Sequence, residues 1–282
     1  MLAEQRRFRI TEYVQRQESG IVTIAELSEM LAVSEMTIRR DLAVLERQSI
    51  LRKVHGGAVA IQQTNVEKSF AYRSREADPQ KKIIGWLASQ LVSDNDRIIL
   101  DAGTTTFQIS RNLVCLDRLT VITNNLTVAT ELAQCPNIII LLLGGIIKHQ
   151  ELCTVGDMVK QSLSLLSADK YFLSVTSFSI RMGAMETDMA ETEVKQSMMH
   201  SAGETILVAD SSKFDVTSLI QVAPLHQIDK IVTDDGIPAN AIDTIEAQGI
   251  EVITPQRQDF GRVPNDIQVM MADLASSKMS ND

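Results

Sequence analysis

The chain has 282 residues, 44% of them hydrophobic and 22% charged, which is ordinary for a globular protein of one or two domains. Its net charge of −9 excludes a protein that is basic throughout, and no apolar run approaches the roughly 20 residues that span a bilayer. The first ten residues contain no apolar signal-peptide core, and Cys115, Cys135 and Cys153 lack C-x-x-C spacing. We therefore expect a cytoplasmic protein with reduced cysteines and no membrane association.

Charge is unevenly distributed along the chain. Residues 1–57 hold nine Lys/Arg and eight Asp/Glu, whereas the remaining residues hold 18 Lys/Arg and 28 Asp/Glu. A near-neutral N-terminal segment joined to an acidic body predicts that contact with an acidic polymer such as DNA is made through the N-terminal segment alone.

The first 58 residues have the helix and strand order of a winged helix-turn-helix domain. Residues 4–17 show helical periodicity, and Thr23 with Glu26 forms the capping-box pattern that starts a second helix. A tight turn at residues 32–33 leads into a third helix, and a short extended segment then ends in two glycines. The alternative is a small helical bundle with solvated arginines, but the His-Gly-Gly of the extended segment favours a wing.

The third helix is the predicted DNA-recognition helix. Ile38, Leu42 and Leu45 recur at i, i+4 and i+7, which predicts one buried face. Ser34 is a favourable N-cap before it. Polar and guanidinium side chains on its outer faces suit a major groove, where the first turns of a helix meet base edges and phosphates. The predicted DNA-contacting residues of helix and wing are Ser34, Thr37, Arg39, Arg40, Arg52, Lys53 and His55.

The rest of the chain predicts a linker over residues 59–78, an α/β domain over 79–255 and a C-terminal tail over 256–282. From residue 97, short apolar runs alternate with helical stretches, and each run ends in a small or polar residue. This alternation predicts a mostly parallel sheet covered on both faces, in which ligands bind at the carboxyl ends of the strands. The predicted strands are 97–100, 119–122, 138–143, 170–175, 205–209, 230–232 and 249–253; the helices between them are 105–114, 126–133, 156–167, 189–202 and 239–248.

The sharpest motif of the α/β segment runs from Asp101 to Thr106 and reads D-A-G-T-T-T. Gly103 allows a close backbone approach, and Thr104 and Thr105 offer hydroxyls and amides at a helix start, where anions bind. The motif lacks the G-K-[ST] of a Walker loop and the G-x-G-x-x-G of a dinucleotide site. A strand-to-helix turn with threonine caps explains it equally well.

Three further strand ends carry groups that suit a small anion. Asn124 follows the second strand, Gly145 follows the third, and Lys213 follows the fifth as a natural counter-charge for phosphate. Each has a bland explanation as a turn residue or a surface lysine. Together they predict one crevice that holds a small anion. The four histidines have no ligand-like spacing, so we expect no metal and no cofactor.

The N-terminal motif V-S-x-x-T-I-R-R-D-L-x-x-L-E, here Val33 to Glu46, resembles the DNA-binding signature of the DeoR family of bacterial transcriptional regulators. The L-x-K-x-H-G-G-A that follows fits the same family. Ser49 stands where the family usually has Gly, and Lys53 where it usually has Arg. Lysine keeps the charge without the bidentate fork, which favours phosphate contact over base reading.

The second half resembles the effector domain of the same family in its D-x-G-T-T-T, T-N-N, L-G-G, D-S-S-K-F and I-V-T-D motifs. The resemblance implies a fold like that of ribose-phosphate isomerases and CoA transferases, and a phosphorylated sugar or related metabolite as effector. Residues 176–184 depart from the family pattern, which usually shows a Gly-Ile-Asp turn and then Gly-Gly-Leu-Thr. The effector contacts that it implies are Asp101, Gly103, Thr104, Thr105, Asn124, Gly145 and Lys213, with Glu191 and Lys195 of an E-x-x-x-K helix as pocket residues.

These observations predict a transcription factor, most simply a repressor of a carbohydrate-metabolism operon, and not an enzyme. Its partners are a double-stranded DNA operator and a small-molecule effector, and paired half-sites imply a homo-oligomer, a dimer or tetramer. The alternative is a sugar-phosphate isomerase or CoA-transferase-like enzyme with an accessory N-terminal domain. Such an enzyme needs an acid/base or nucleophile in the crevice, for which Asp101, Glu191 and Lys213 are the candidates.

Overall fold

The computed structural model describes residues 3–16, 21–47, 50–54, 56–60, 70–74, 78–113 and 116–255. The chain divides into two compact units, residues 1–68 and 69–282, which are described separately below. The predicted wing residue His55 and the predicted tail at 256–282 lie outside the described residues. Within the described ranges, no helix has the length and apolar character needed to cross a membrane.

The described part of the first unit has the element order predicted for a winged helix-turn-helix. β3 lies between β1 and β2 and pairs antiparallel with both. The elements are α1 (Ala3–Arg16), β1 (Ile21–Thr23), α2 (Ile24–Leu31), α3 (Glu35–Arg47), β2 (Leu51–Val54) and β3 (Gly57–Ala60).

Local chemistry sets where α2 begins and ends. The Glu26 amide donates to Thr23 Oγ1 at 3.2 Å, and the Thr23 amide donates to Glu26 Oε2 at 2.7 Å, so the predicted capping box is confirmed. Ala32 ends the helix in the left-handed region, with φ of 51°. The turn is tight because it uses that conformation, and α3 starts three residues later.

The core of the first unit forms between the helices and the sheet. Ile38, Leu42 and Leu45 of α3 are buried as predicted, against Ile10 of α1 and Leu27 of α2. Burial of each such side chain contributes about 2 kcal/mol to folding. One face of α3 is thereby fixed inward, and the opposite face is left exposed.

The carboxylate of Asp41 ties α3 to α1. Its Oδ2 accepts a hydrogen bond from Arg6 Nε at 2.6 Å, and its Oδ1 accepts from Arg7 Nε at 3.2 Å. The Asp41 side chain is only 5% exposed, so the two guanidinium groups replace the water that it loses on folding. This pairing fixes the rotation of α3, on which Arg40 directly precedes Asp41.

The second unit is an α/β domain with a parallel sheet of seven strands, confirming the predicted class. Its described elements are α4 (Phe70–Arg73), α5 (Asp78–Ser89), β4 (Arg97–Leu100), α6 (Thr104–Ser110), β5 (Leu119–Thr123), α7 (Leu126–Leu132), β6 (Ile138–Leu142), β7 (Ile146–Lys148), β8 (Cys153–Val155), α8 (Asp157–Leu163), β9 (Ala168–Leu173), β10 (Ser177–Ser179), β11 (Gly183–Glu186), α9 (Met189–His200), β12 (Ala202–Val208), β13 (Ile220–Ala223), β14 (Lys230–Val232), α10 (Ala239–Glu246) and β15 (Glu251–Ile253).

The strand order places a topological switch point in the middle of the sheet. The order is β15-β14-β12-β9-β4-β5-β6, and every neighbouring pair is parallel. The chain runs outward from β4 to β6, returns to β9 on the other side of β4, and then runs outward to β15. The boundary between β4 and β9 is therefore the topological switch point, where such sheets bind ligands.

Helices cover both faces of this sheet. One core contains Ile84 of α5, Ile109 of α6 and Val128 of α7. The other contains Val159 of α8 and Val194 of α9. Because both faces are apolar, the strands read as continuous hydrophobic runs, which is the pattern that the sequence shows.

Two small antiparallel elements were not predicted. β7 and β8 form a hairpin, and β10, β11 and β13 form a three-stranded sheet. Their strands are only three or four residues long, and β8 and β10 are buried along their whole length. Runs so short and so uniformly buried show no period-2 alternation.

Part of the predicted linker is ordered against the second unit. The Phe70 ring packs edge-on against Phe107, with ring centroids 5.9 Å apart. The Phe70 amide donates to the Gln150 carbonyl at 2.8 Å, and Arg73 forms an ion pair with the buried Glu151. These apolar and ionic contacts hold α4, which lies within the predicted linker, against the rest of the second unit.

We predict that Asp41→Ala loosens the first unit, because it leaves two guanidinium groups without their buried partner. The expected loss of stability is about 2 kcal/mol. It is measured by hydrogen exchange of the α1 and α3 amides in the full chain. Glu35→Ala is the control, since its pair with Arg39 is exposed and should change exchange little. Equal protection in Asp41→Ala and the unmutated chain would contradict this role.

Candidate functional site

The outer face of α3 is the candidate nucleic-acid interface. Arg40 is exposed there and forms no ion pair with any described residue. Arg39 is also exposed, and its Nη2 lies 3.5 Å from the Glu35 carboxylate one turn earlier. Such an exposed pair is weak, so Arg39 is easily released to a phosphate.

The start of α3 is organised by Ser34 and Thr37. The Thr37 amide donates to Ser34 Oγ at 3.3 Å, and the two hydroxyl oxygens are 2.9 Å apart. Ser34 therefore caps the helix as predicted. The first turn is held rigid at the end that would enter a groove.

In the wing, Arg52 and Lys53 of β2 are both exposed. Lys53 Nζ lies 3.1 Å from the Glu46 carboxylate, and the Lys53 amide donates to the same carboxylate at 3.0 Å. Its hydrogen bonds with Lys53 lower the pKa of Glu46. Of the two wing cations, Arg52 is the one without an ion pair among the described residues.

The centre of the candidate effector site is a buried ion pair at the switch point. Lys195 of α9 donates through Nζ to Asp101 Oδ2 at 2.6 Å and to the Ser174 carbonyl at 2.9 Å. Asp101 also accepts from the amides of Ala102 and Ser174, at 2.7 and 3.0 Å. Asp101 follows β4 and Ser174 follows β9, so this pair joins the two halves of the sheet.

Further acidic groups surround Lys195. The Glu186 carboxylate lies 3.4 Å from Lys195 Nζ and accepts from the Thr176 hydroxyl. Burial disfavours the ammonium, but Asp101, Glu186 and Glu191 outweigh it and raise the pKa of Lys195. Burial and then the Asp101 charge raise the pKa of the Tyr171 phenol. Lys195 is therefore a permanent cation that holds these groups together.

A second ion cluster lies one helical turn before Lys195. Glu191 pairs with Lys148 of β7, and Lys148 is also 3.2 Å from Asp188, the N-cap of α9. Burial, and then the Glu191 carboxylate, raise the pKa of the Cys153 thiol to about 12. This thiol stays protonated, which suits packing and not nucleophilic chemistry.

Asn124 connects β5 to the β7–β8 hairpin. Its Nδ2 donates to the Thr154 carbonyl at 2.8 Å, and the Thr154 amide donates back to the Asn124 carbonyl at 2.9 Å. Its Oδ1 is buried and has no hydrogen-bond partner in the part of the chain that the structure describes. A buried acceptor left open in this way indicates a place for a donor from water or ligand.

The D-x-G-T-T-T motif meets β9. A Cβ on Gly103 would lie 2.3 Å from Ser174 Oγ, so the glycine is needed for close packing across the switch point. Thr104 and Thr105 begin α6, and their hydroxyls hydrogen-bond to no residue in the described ranges. These two hydroxyls are available to a ligand.

Gly145 and Lys213 occupy different surroundings. A Cβ on Gly145 would lie 2.7 Å from the Val155 carbonyl oxygen, so this glycine lets β7 pack on β8. Lys213 ends a 3₁₀ turn after β12, is half-buried, and forms no ion pair among the residues described. Asp210 caps that turn by accepting from the Ser212 amide at 3.2 Å.

Sequence reasoning missed several members of the site. Lys148 and Glu186 lie on strands too short to detect, and Asn125 of the T-N-N motif caps α7 through its Oδ1. The signal available for Lys148 was its place three residues after Gly144-Gly145. The pairing of Lys195 with Asp101 spans 94 residues and has no local signature.

Both halves of the chain match family models. Residues 6–64 match the DeoR-like helix-turn-helix domain, and residues 76–235 match the DeoR C-terminal sensor domain. The chain belongs to the DeoR family of transcriptional regulators. Its second unit is therefore a sensor domain.

Relatives of this regulator include the HTH-type transcriptional regulator YulB of Bacillus subtilis, with 35% identity over 89% of this chain and 96% of the relative. The putative aga operon transcriptional repressor of Escherichia coli O157:H7 is 34% identical over 86% of this chain and 91% of its own length. Among solved structures, ribose 5-phosphate isomerase A of Neisseria gonorrhoeae overlaps 48% of this chain and 52% of its own, at 12% identity and a TM-score of 0.36.

We predict that Lys195→Met destabilises the sensor domain by about 3 kcal/mol, because it leaves Asp101 and Glu186 as buried charges without a cation. Urea unfolding followed by the fluorescence of Trp86, the single tryptophan, measures this. Lys213→Met is the matched control and should lie within about 0.5 kcal/mol of the unmutated chain. Equal losses in the two variants would show that Lys195 has no special structural role.

Proposed function

We propose that this regulator represses a carbohydrate-metabolism operon by binding its DNA operator through α3 and the wing. The observation that carries the proposed DNA binding is the exposed Arg40 side chain on the outer face of α3. Arg40 lies three residues after Thr37, which with Ser34 organises the start of the helix. A guanidinium held at that place can donate two hydrogen bonds to guanine O6 and N7. Arg39, Arg52, Ser34, Thr37 and Lys53 then serve phosphates or neighbouring bases.

The electrostatics of the first unit support this division of roles. Arg40 and Arg52 need release no partner among the described residues before they bind DNA. Lys53 must exchange its contact with Glu46 for a phosphate, and that contact is exposed and weak. Because the chain carries a net charge of −9, approach to DNA depends on these few cations and is strongly sensitive to salt.

We further propose that the sensor domain binds a phosphorylated sugar or related anionic metabolite at the carboxyl edge of β4 and β5. The open hydroxyls of Thr104 and Thr105 and the unpartnered Asn124 Oδ1 follow these adjacent strands. Hydroxyl and amide groups of this kind recognise phosphate oxygens and sugar hydroxyls. Lys213, which ends the turn after β12, supplies a cation for the anion.

The other predicted effector contacts support the structure around the site and do not bind the effector directly. Asp101 is saturated by Lys195 and two amides, and Gly103 and Gly145 permit close packing. Glu191 is engaged by Lys148, so a ligand would have to exchange with that pair. These residues position the groups that touch the effector.

A role as an enzyme has less support. Asp101 holds a permanent cation and two amides, so it is not available as a general base. Glu191 is neutralised by Lys148, and no side chain among the described residues pairs with Lys213 to hold it as an acid or base. The relatives described above are named as transcriptional regulators. We propose that the sensor domain binds its ligand without turning it over, and that binding shifts the population of DNA-competent oligomers.

We predict that Arg40→Ala removes specific DNA binding while the fold stays intact. A binding site is first selected from a random DNA pool with the unmutated chain. Loss of the bidentate contact should then lower affinity for that site by about 100-fold. Arg111→Ala, which removes another exposed arginine from the sensor domain, is the control. A normal shift of the selected DNA by Arg40→Ala would refute the proposed recognition residue.

We predict that at least one sugar phosphate raises the melting temperature of the chain, whereas the matching unphosphorylated sugar does not. A ligand at 100 times its Kd contributes about 2.7 kcal/mol of stability. Lys213→Ala should abolish this shift without changing the melting point of the free chain. Lys230→Ala is the control, because Lys230 begins β14 at the opposite, amino edge of the sheet. A shift that persists in Lys213→Ala would exclude Lys213 as the counter-charge.

A further inference from the structure

One row of side chains on α3 points directly away from the core of the first unit. The buried residues Ile38 and Leu42 are four residues apart on the opposite face. Met36, Arg40 and Ala43, which we call the outer row, have the i, i+4, i+7 spacing of the buried face and begin two residues before it. Each residue turns an α-helix by about 100°, so the outer row lies about 200° around the axis from the buried one. It is therefore the part of α3 that can enter a groove most deeply.

Met36 is the large apolar member of the outer row. It is 59% exposed in the first turn of α3. The other exposed residues of this helix are all charged, namely Glu35, Arg39, Arg40 and Arg47. Apolar surface that stays in water contributes nothing to folding, and it becomes favourable only when another apolar group covers it.

Exposed large apolar side chains occur at three places among the described residues of the first unit. Met30 lies near the end of α2, Met36 at the start of α3 and Val54 at the end of β2. No described side chain of α1 belongs to this set. A single exposed apolar residue needs no explanation. A set confined to the two helices of the helix-turn-helix and to the wing indicates that these side chains face the same binding partner.

The neighbours of Met36 favour DNA over protein as the surface that covers it. Arg40 lies one turn further along the outer row and is exposed without an ion pair to a described residue. Ser34 and Thr37, whose hydroxyl oxygens are 2.9 Å apart, flank Met36 along the chain. An apolar protein surface over Met36 would take these polar groups out of water without partners. A major groove offers them phosphates and base edges.

We propose that Met36 reads a thymine by packing against its C5 methyl group in the major groove. Thymine is the base that presents a methyl group there. Methionine has a flexible, unbranched side chain that adapts to the shape of an apolar partner. This inference rests on the proposed binding of DNA through α3, and it adds a second base to the guanine assigned to Arg40.

The spacing within the outer row sets the distance between the two bases. Met36 and Arg40 are four residues apart, so their Cβ atoms are separated by roughly 6 Å on one face of the helix. Successive bases of one strand are about 3.4 Å apart along the DNA axis. The longer reach of arginine adds about one base step. The thymine therefore lies within about three base pairs of the guanine that Arg40 contacts.

The experiment compares duplexes that differ by a single methyl group. A binding site is selected from a random DNA pool with the full unmutated chain. Each thymine is then replaced in turn by deoxyuridine, which keeps the base pair and lacks only the C5 methyl. At least one replacement should weaken binding of the unmutated chain about fourfold, as expected for the lost burial of one methyl-sized group. Fluorescence anisotropy titrations at one fixed salt concentration measure this.

Variants of Met36 assign the effect to its side chain. Met36→Ala should bind the thymine and uracil duplexes equally, because it no longer reaches the methyl group. Met36→Leu keeps an apolar side chain and should retain most of the difference. Met30→Ala is the matched control, since it shortens another exposed methionine of the same unit and should keep the fourfold difference. Circular dichroism confirms that each variant is folded.

The outcomes separate this inference from the proposed function. A chain that selects no sequence from the pool defeats both. A selected site in which no thymine methyl contributes overturns the inference and leaves the proposed DNA binding intact, and so does a uracil penalty that persists in Met36→Ala. Guanines that matter are found with a guanine analogue that lacks the N7 acceptor. A Met36-dependent thymine more than about three base pairs from every such guanine would overturn the arrangement of the outer row.

Discussion

The contact between Lys195 and Asp101 joins the two halves of the sensor-domain sheet at the topological switch point between β4 and β9. Adjacent strands β4 and β9 send their connections in opposite directions, so no loop closes the gap between their carboxyl ends. The ammonium of Lys195 spans that gap by binding the Asp101 carboxylate and the Ser174 carbonyl. Gly103 allows the backbone to come close enough for this to happen. The same groups therefore stabilise the fold at the edge of the sheet where we propose that the effector binds.

The two units differ in how their charged side chains are paired. In the first unit, Asp41 neutralises two arginines of α1, and Arg40 stays exposed on α3 without an ion pair to a described residue. In the second unit, cations and carboxylates are buried together, and Thr104, Thr105 and Asn124 are left with unused hydrogen-bonding capacity. Saturated groups give rigidity, and unsaturated groups are the ones that a ligand or a nucleic acid can engage.

Several elements whose residues interact locally could be predicted from the sequence. The Thr23 capping box, the buried face of α3 and the strands 97–100 and 230–232 follow from spacing over a few residues, and the structure has them. The sequence did not allow prediction of β7 or β10, because these strands are only three residues long and are too short to show a period-2 pattern. Nor did it allow prediction of the partners of Lys195, because Ser174 and Asp101 lie 21 and 94 residues away along the chain and leave no periodic signal. The roles of Asp101 and Gly145 could be assigned only once their neighbours were visible.

The crevice joins residues that are far apart along the chain, and this has a consequence for biosynthesis. Asp101 cannot form its hydrogen bonds until Ser174, 73 residues later, and Lys195, 94 residues later, have been synthesised. The DNA-binding unit has local contacts and leaves the ribosome first, so it folds while the crevice is still unformed. A nascent or truncated chain that ends before α9 would thus contain a folded DNA-binding unit that cannot respond to the effector.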